Sequence, residues 1–82
     1  MNKEVIEAWL ISHIATTLNV AETDVDRSRP LTRLGLDSLA VFTLTGDLAE
    51  WLGRDLSAML AWDIPTIEAL AQHLASPPDH RG

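Results

Sequence analysis

The 82-residue chain contains no cysteine, which excludes disulfides, a thiolate nucleophile and any Cys-ligated metal or iron–sulfur centre within it. Any thiol chemistry must arrive on a bound group. Basic residues are scarce: six Lys and Arg stand against twelve Asp and Glu, a formal charge of −6. That balance opposes nucleic-acid backbones and anionic membrane surfaces and favours proteins with basic patches as partners. No apolar run approaches the roughly 18 to 20 residues needed to span a bilayer. Met1-Asn2-Lys3-Glu4 leads straight into a helical pattern, unlike the uninterrupted apolar core of a signal peptide. The expected location is cytoplasmic, with neither membrane nor nucleic acid as a partner. Internal repeats, low-complexity tracts and Val/Ile/Thr-rich alternating runs are absent too, so nothing in the chain competes for β structure.

What is present is an apolar-rich chain, 46% hydrophobic, able to bury one modest core but too short for a large substrate pocket. Ile6, Leu10, Ile14 and Leu18 recur every four residues and predict a first helix over 3–18, with Asn19 able to end it. From Ala21 to Arg33 no period persists around Pro30, which reads as a long ordered loop with room for a short helical turn, pinned by Val25, Leu31 and Leu34. A second helix is predicted over 38–52, stopped by Gly53 in a left-handed cap. Its buried stripe is Val41, Leu44, Leu48 and Leu52. Leu39, Ala40 and Phe42 face differently, as further core or as a docking surface. A short third helix is expected to start at Ser57 as N-cap and to carry Met59, Leu60 and Trp62. Pro65-Thr66 then opens a fourth helix with Ile67, Leu70, Ala71 and Leu74, stopped by Ser76-Pro77-Pro78. The fold class is all-α: a four-helix bundle with three main helices, one short helix and a long loop between helices 1 and 2. Residues 1–75 form the domain and 76–82 a disordered C-terminal tail.

The run Leu34-Gly35-Leu36-Asp37-Ser38-Leu39 delivers a serine to the first turn of the second helix. Backbone N–H groups there are unpaired and carry positive partial charge, so a phosphodiester built on Ser38 would be favoured where it sits. Asp37 or Ser38 could equally be a plain N-cap. Catalysis by Ser38 is not expected. A serine nucleophile needs a base, a group orienting that base and oxyanion donors. His13 lies near the buried stripe of the first helix, His73 on the last helix and His80 in the tail. No strand and no Gly-x-Ser-x-Gly elbow surrounds Ser38, and neither His13 nor His73 has a second ligand at metal-binding spacing. The expected catalytic and metal residues are therefore none.

Pro30-Leu31-Thr32-Arg33-Leu34-Gly35-Leu36-Asp37-Ser38-Leu39, the helix with Leu44 and Leu48, and Trp62-Asp63-Ile64-Pro65-Thr66-Ile67 with Leu70 and Leu74 resemble the acyl carrier proteins over nearly the whole chain. The resemblance implies that a phosphopantetheinyl transferase moves the 4′-phosphopantetheine of coenzyme A onto Ser38, with Asp37 and Leu39 as the further cofactor-binding residues. The thiol of that arm then carries acyl groups as thioesters, which suits a cysteine-free chain. It also implies partners among acyl-loading, ketosynthase or acyltransferase-type enzymes, met by a monomer through Leu39, Ala40, Phe42, Thr43, Asp47 and Glu50. Carriers of bacterial fatty-acid synthesis are rich in carboxylates on the exposed face of this helix. Here Ala40, Thr43 and Gly46 stand at such positions, with Asp47 and Glu50 as the main charges. The contact should be more apolar, through Leu39 and Phe42, which points to a polyketide or other secondary-metabolite pathway. A peptidyl carrier usually has a second glycine where Leu36 stands; that type, a fatty-acid carrier and an unmodified helical adaptor are the alternatives. Trp51 and Trp62 belong to the core or line a region near the arm. Gly46 either admits a close neighbour or is simply tolerated, at a cost of about 1 kcal/mol relative to alanine. A chain starting at Met1 fits a freestanding protein, and a domain excised from a larger synthase would look similar.

Overall fold

The computed structural model describes residues 2–75. The expected tail, the Ser76-Pro77-Pro78 stop and His80 lie outside them. Four helices follow in order: α1 (Lys3–Leu18), α2 (Ser38–Leu52), α3 (Leu60–Asp63) and α4 (Ile67–Ala75), with single 3-10 turns at Glu22–Asp24 and Leu31–Arg33 in the long loop. None is long and apolar enough to cross a membrane.

Each boundary has a local cause. Asn2 caps α1, its Oδ1 accepting the Val5 amide at 2.9 Å, and Asn19 closes it in the left-handed conformation at φ 59°, which asparagine tolerates better than most residues. Gly53 closes α2 in the same way at φ 71°. Thr66 Oγ1 accepts the Ala69 amide at 3.2 Å and caps α4. The predicted α3 is the exception. Ser57 Oγ accepts the Met59 amide at 3.1 Å and its carbonyl takes the Leu60 amide at 3.0 Å. Ser57 thus closes a turn before the helix, because its side chain competes for backbone amides that a helix would use. α3 begins at Leu60, and Met59, expected within it, lies outside and is exposed.

The core joins Ile6, Leu10 and Ile14 of α1, Val41, Leu44 and Leu48 of α2, Ala61 of α3, and Ile67, Leu70, Ala71 and Leu74 of α4. The most extensive helix contact is α1 against α4. Leu18, Leu34 and Leu52, expected in the core, are only half-buried, as each lies at an element end where packing covers one side.

The long loop is bound at several points. Val25, Leu31 and Leu36 enter the core. Arg27 Nη1 donates to Oε1 of buried Glu7 at 3.0 Å, with Lys3 Nζ 3.8 Å from its other oxygen; a carboxylate removed from water needs such partners. The Arg27 carbonyl also accepts the Glu68 amide at 3.1 Å, and the Leu31 amide donates to the Pro65 carbonyl at 2.8 Å beside an isolated Pro30–Thr66 bridge. Asp26 accepts from the Ser28 hydroxyl and amide (2.7 and 2.9 Å), which holds its carboxyl below the usual carboxylate range. A connection this long without regular strands would otherwise wander. These ties hold it between α1 and the start of α4, so the residues leading to Ser38 are part of the packed structure.

Candidate functional site

Gly35 turns the chain into the site at φ 108°, in the region closed to side-chain-bearing residues, and a Cβ there would lie 3.5 Å from Leu18 Cδ2. Leu36 is then buried at 6% exposure and fixes the register of the next residues. Asp37 is extended and its Oδ1 accepts the Ala40 amide at 2.8 Å, so Asp37 is the N-cap of α2. Ser38 is the first helical residue and is exposed. With capping assigned to Asp37, the Ser38 hydroxyl has no hydrogen-bond partner among the described residues. It stands in water beside the N-terminal end of a 15-residue helix, where a negative group is favoured. A phosphodiester on this oxygen fits the site.

The expected docking residues occupy four different settings. Leu39, Thr43 and Glu50 are exposed, and with Gly46 they recur along the outward stripe of α2. Leu39 is 75% exposed directly after Ser38. Phe42 lies one turn on from Ser38, 42% exposed, on the side towards α3, where its ring meets Trp62 edge-on at 6.1 Å. Ala40 is half-buried at the side of the helix.

Asp47 keeps a side chain 44% exposed but has a neighbour on α1. Its Oδ2 lies 3.0 Å from His13 Nε2, across the seam between α1 and α2. The His13 imidazole is stacked on Trp9 (centroids 4.8 Å, 16° between planes), and Trp9 on Trp51 (5.0 Å, 12°). Trp9, Trp51 and Trp62 are all half-buried against the core. Trp51 therefore clasps α1 to α2, and Trp62 borders the exposed side of Phe42. The sequence reading missed the Trp9–His13 contact, though the four-residue spacing that places the two on one face of α1 could have flagged it.

Gly46 is exposed and nothing lies within 4 Å of the place its Cβ would occupy. No neighbouring helix approaches it. Gly46→Ala is therefore expected to raise stability by about 0.5–1 kcal/mol, which a thermal melt reads as a rise of roughly 4 °C. A fall in melting temperature would mean that α2 bends there.

The family model described as "Phosphopantetheine attachment site" matches residues 8–74. A phenolphthiocerol/phthiocerol polyketide synthase polypeptide of Mycobacterium tuberculosis is 41% identical over 69 residues, 84% of this chain but 4% of that synthase. Acyl carrier protein TtuC of Teredinibacter turnerae is 36% identical over 73 residues, covering 89% of this chain and 84% of the relative. Among solved structures, a free-standing peptidyl carrier protein from an Acinetobacter baumannii secondary metabolic pathway superposes with a TM-score of 0.83 at 33% identity, over 89% of this chain and 91% of that one. A matching helical fold, an exposed serine at the head of α2 and these relatives agree: the chain belongs to the phosphopantetheine-binding carriers and is of the acyl carrier type.

Proposed function

We propose that Ser38 is the residue on which this carrier receives 4′-phosphopantetheine from coenzyme A, through a phosphopantetheinyl transferase, and that residues 1–75 act as the acyl-carrier domain of a polyketide or other secondary-metabolite synthase. The observation that carries the assignment is the division of labour at the head of α2. Asp37 caps the helix, and the adjacent hydroxyl is left exposed and unpartnered among the described residues. When attached, the group supplies the thiol that this cysteine-free chain lacks. The domain supplies position: α2 sets the serine beside the helix N-terminus, and the tied loop keeps it there. Tethering raises the local concentration of the carried group for each enzyme that docks.

An acyl cargo is favoured over an aminoacyl one by Leu36, whose buried side chain occupies the position where peptidyl carriers usually have glycine. The enzyme partners, of acyl-loading, ketosynthase or acyltransferase type, are proposed to meet the outward stripe of α2 and its flank at Leu39, Thr43, Phe42 and Glu50. Leu39→Ala should then lower kcat/KM for loading about fivefold to tenfold while leaving the melting temperature in place, since Leu39 touches little of the domain. Equal kinetics would remove Leu39 from the contact.

The deciding experiment is intact-protein mass spectrometry after incubation with coenzyme A, magnesium and a broad-specificity phosphopantetheinyl transferase. Gain of one phosphopantetheinyl group, mapped by peptide sequencing to Ser38, is the expected result. No gain in a folded sample would favour an unmodified adaptor.

A further inference from the structure

Asp47 and Glu50 are the carboxylates of α2, and the two are not in the same state. Glu50 is exposed on the outward stripe. Asp47 is held against α1 by a 3.0 Å contact from His13 Nε2. A carboxylate oxygen can only accept, so Nε2 must carry the proton that the pair shares. The contact engages one oxygen of Asp47 and leaves the side chain 44% exposed. The donor itself is not free to swing away. Its ring is the outer member of the His13–Trp9–Trp51 stack, with near-parallel planes on both sides of Trp9. The pair is partly solvated, with the His13 side chain 33% and the Asp47 side chain 44% exposed, and an isolated surface pair contributes little; the stacking of the imidazole on Trp9 limits the geometries this one samples.

On this basis, and resting on the carrier reading above, we propose that His13 is a positioning residue that sets partner choice. It turns one oxygen of Asp47 towards α1 and so weakens the charge that the α2 face offers, which favours enzymes whose carrier-binding surface is apolar over those whose surface is basic. The stripe it leaves behind is Leu39, Thr43, Gly46 and Glu50, one charge among four residues, with Phe42 beside it. Basic surfaces gain association rate and affinity from opposed carboxylates, and each one occupied elsewhere weakens the match.

His13→Phe tests the proposal, because phenylalanine preserves a ring on Trp9 and removes only the donor. The probes are two phosphopantetheinyl transferases acting on Ser38: one with a basic carrier-binding surface, of the kind that serves acidic fatty-acid carriers, and one of broad specificity. With the basic probe at low salt, His13→Phe should lower KM about threefold with kcat unchanged. The gain should vanish in about 0.5 M salt, where exposed charges are screened, and in the His13→Phe/Asp47→Asn double variant. The broad probe should see no difference. In the wild-type background Asp47→Asn should change KM with either probe by less than about twofold. An unchanged KM in folded His13→Phe overturns the proposal, as does a salt-sensitive rise in KM on Asp47→Asn alone, which would make Asp47 an open contact already. Should His13→Phe fail to fold, the Asp47→Asn result decides alone. Wild-type protein that neither transferase loads would instead defeat the carrier reading. An arm independent of both enzymes is the 15N shift of His13 Nε2, expected to move on Asp47→Asn; if it stays, the pair does not exist in solution and the masking fails with it.

Discussion

Ser38→Ala is expected to abolish phosphopantetheine loading completely while shifting stability by no more than about 0.5 kcal/mol, the range of surface substitutions remote from caps and core. Both halves follow from the head of α2. The cap belongs to Asp37, whose Oδ1 holds the Ala40 amide at 2.8 Å, so removing the neighbouring hydroxyl leaves every helix-end hydrogen bond in place. Alanine is moreover a better helix former than serine. The lost oxygen is the atom to which the group would be joined, and among the described residues no other serine has that setting: Ser12 sits within α1, Ser28 donates its hydroxyl to Asp26, and Ser57 closes the turn before α3, where its oxygen is engaged. Asp37→Ala is the informative contrast. Losing the cap should cost about 1 kcal/mol while leaving the acceptor hydroxyl present. Mass spectrometry beside a thermal melt separates the two: zero loading with an unchanged melt for Ser38→Ala, slower but measurable loading with a lowered melt for Asp37→Ala. A Ser38→Ala protein that still gains the group would move the attachment point elsewhere.

Leu10→Ala is expected to have the largest effect on stability. Leu10 is fully buried on α1, at the middle of the Ile6–Leu10–Ile14 stripe, and α1 packs mainly on α4. Deleting three carbons there removes their transfer free energy and leaves a cavity that two packed helices can only partly close, a loss of about 2–5 kcal/mol. A domain of this size is held by roughly 4–12 kcal/mol in all, so the variant loses a large fraction of it. At about 4–8 °C per kcal/mol for so short a chain, a loss near 3 kcal/mol lowers the melting temperature by roughly 12–24 °C. Calorimetry or circular dichroism reads this directly. Loading measured at low temperature, where the variant remains folded, should be close to wild type, because Leu10 takes no part in the α2 face. A drop below about 4 °C would contradict the packing of α1 described above.

The legibility of this chain follows the range of its interactions. The bounds of α1 and α2 could be read in advance because their causes are local: apolar residues at helical spacing, Asn19 and Gly53 in left-handed caps, Pro65-Thr66 at the head of α4. The start of α3 could not, since Ser57 has a choice between opening a helix and closing a turn, and the choice depends on how Leu60 and Ala61 reach the core. Asp37 and Ser38 are both good capping residues, so sequence left the role between them; the extended backbone of Asp37 assigns it.

By itself the sequence determined the all-α class, the order of helices, the motif around Ser38 and the need for an imported thiol, because periodicity, turn chemistry and the absence of cysteine act residue by residue. Only the tertiary structure decided that Arg27 returns to Glu7, that Trp9 stacks on Trp51, and that Asp47 meets His13 across the α1–α2 seam. Those partners lie 20 to 42 residues apart along the chain. Which charges and rings meet is set by how the helices pack, and no local pattern encodes it.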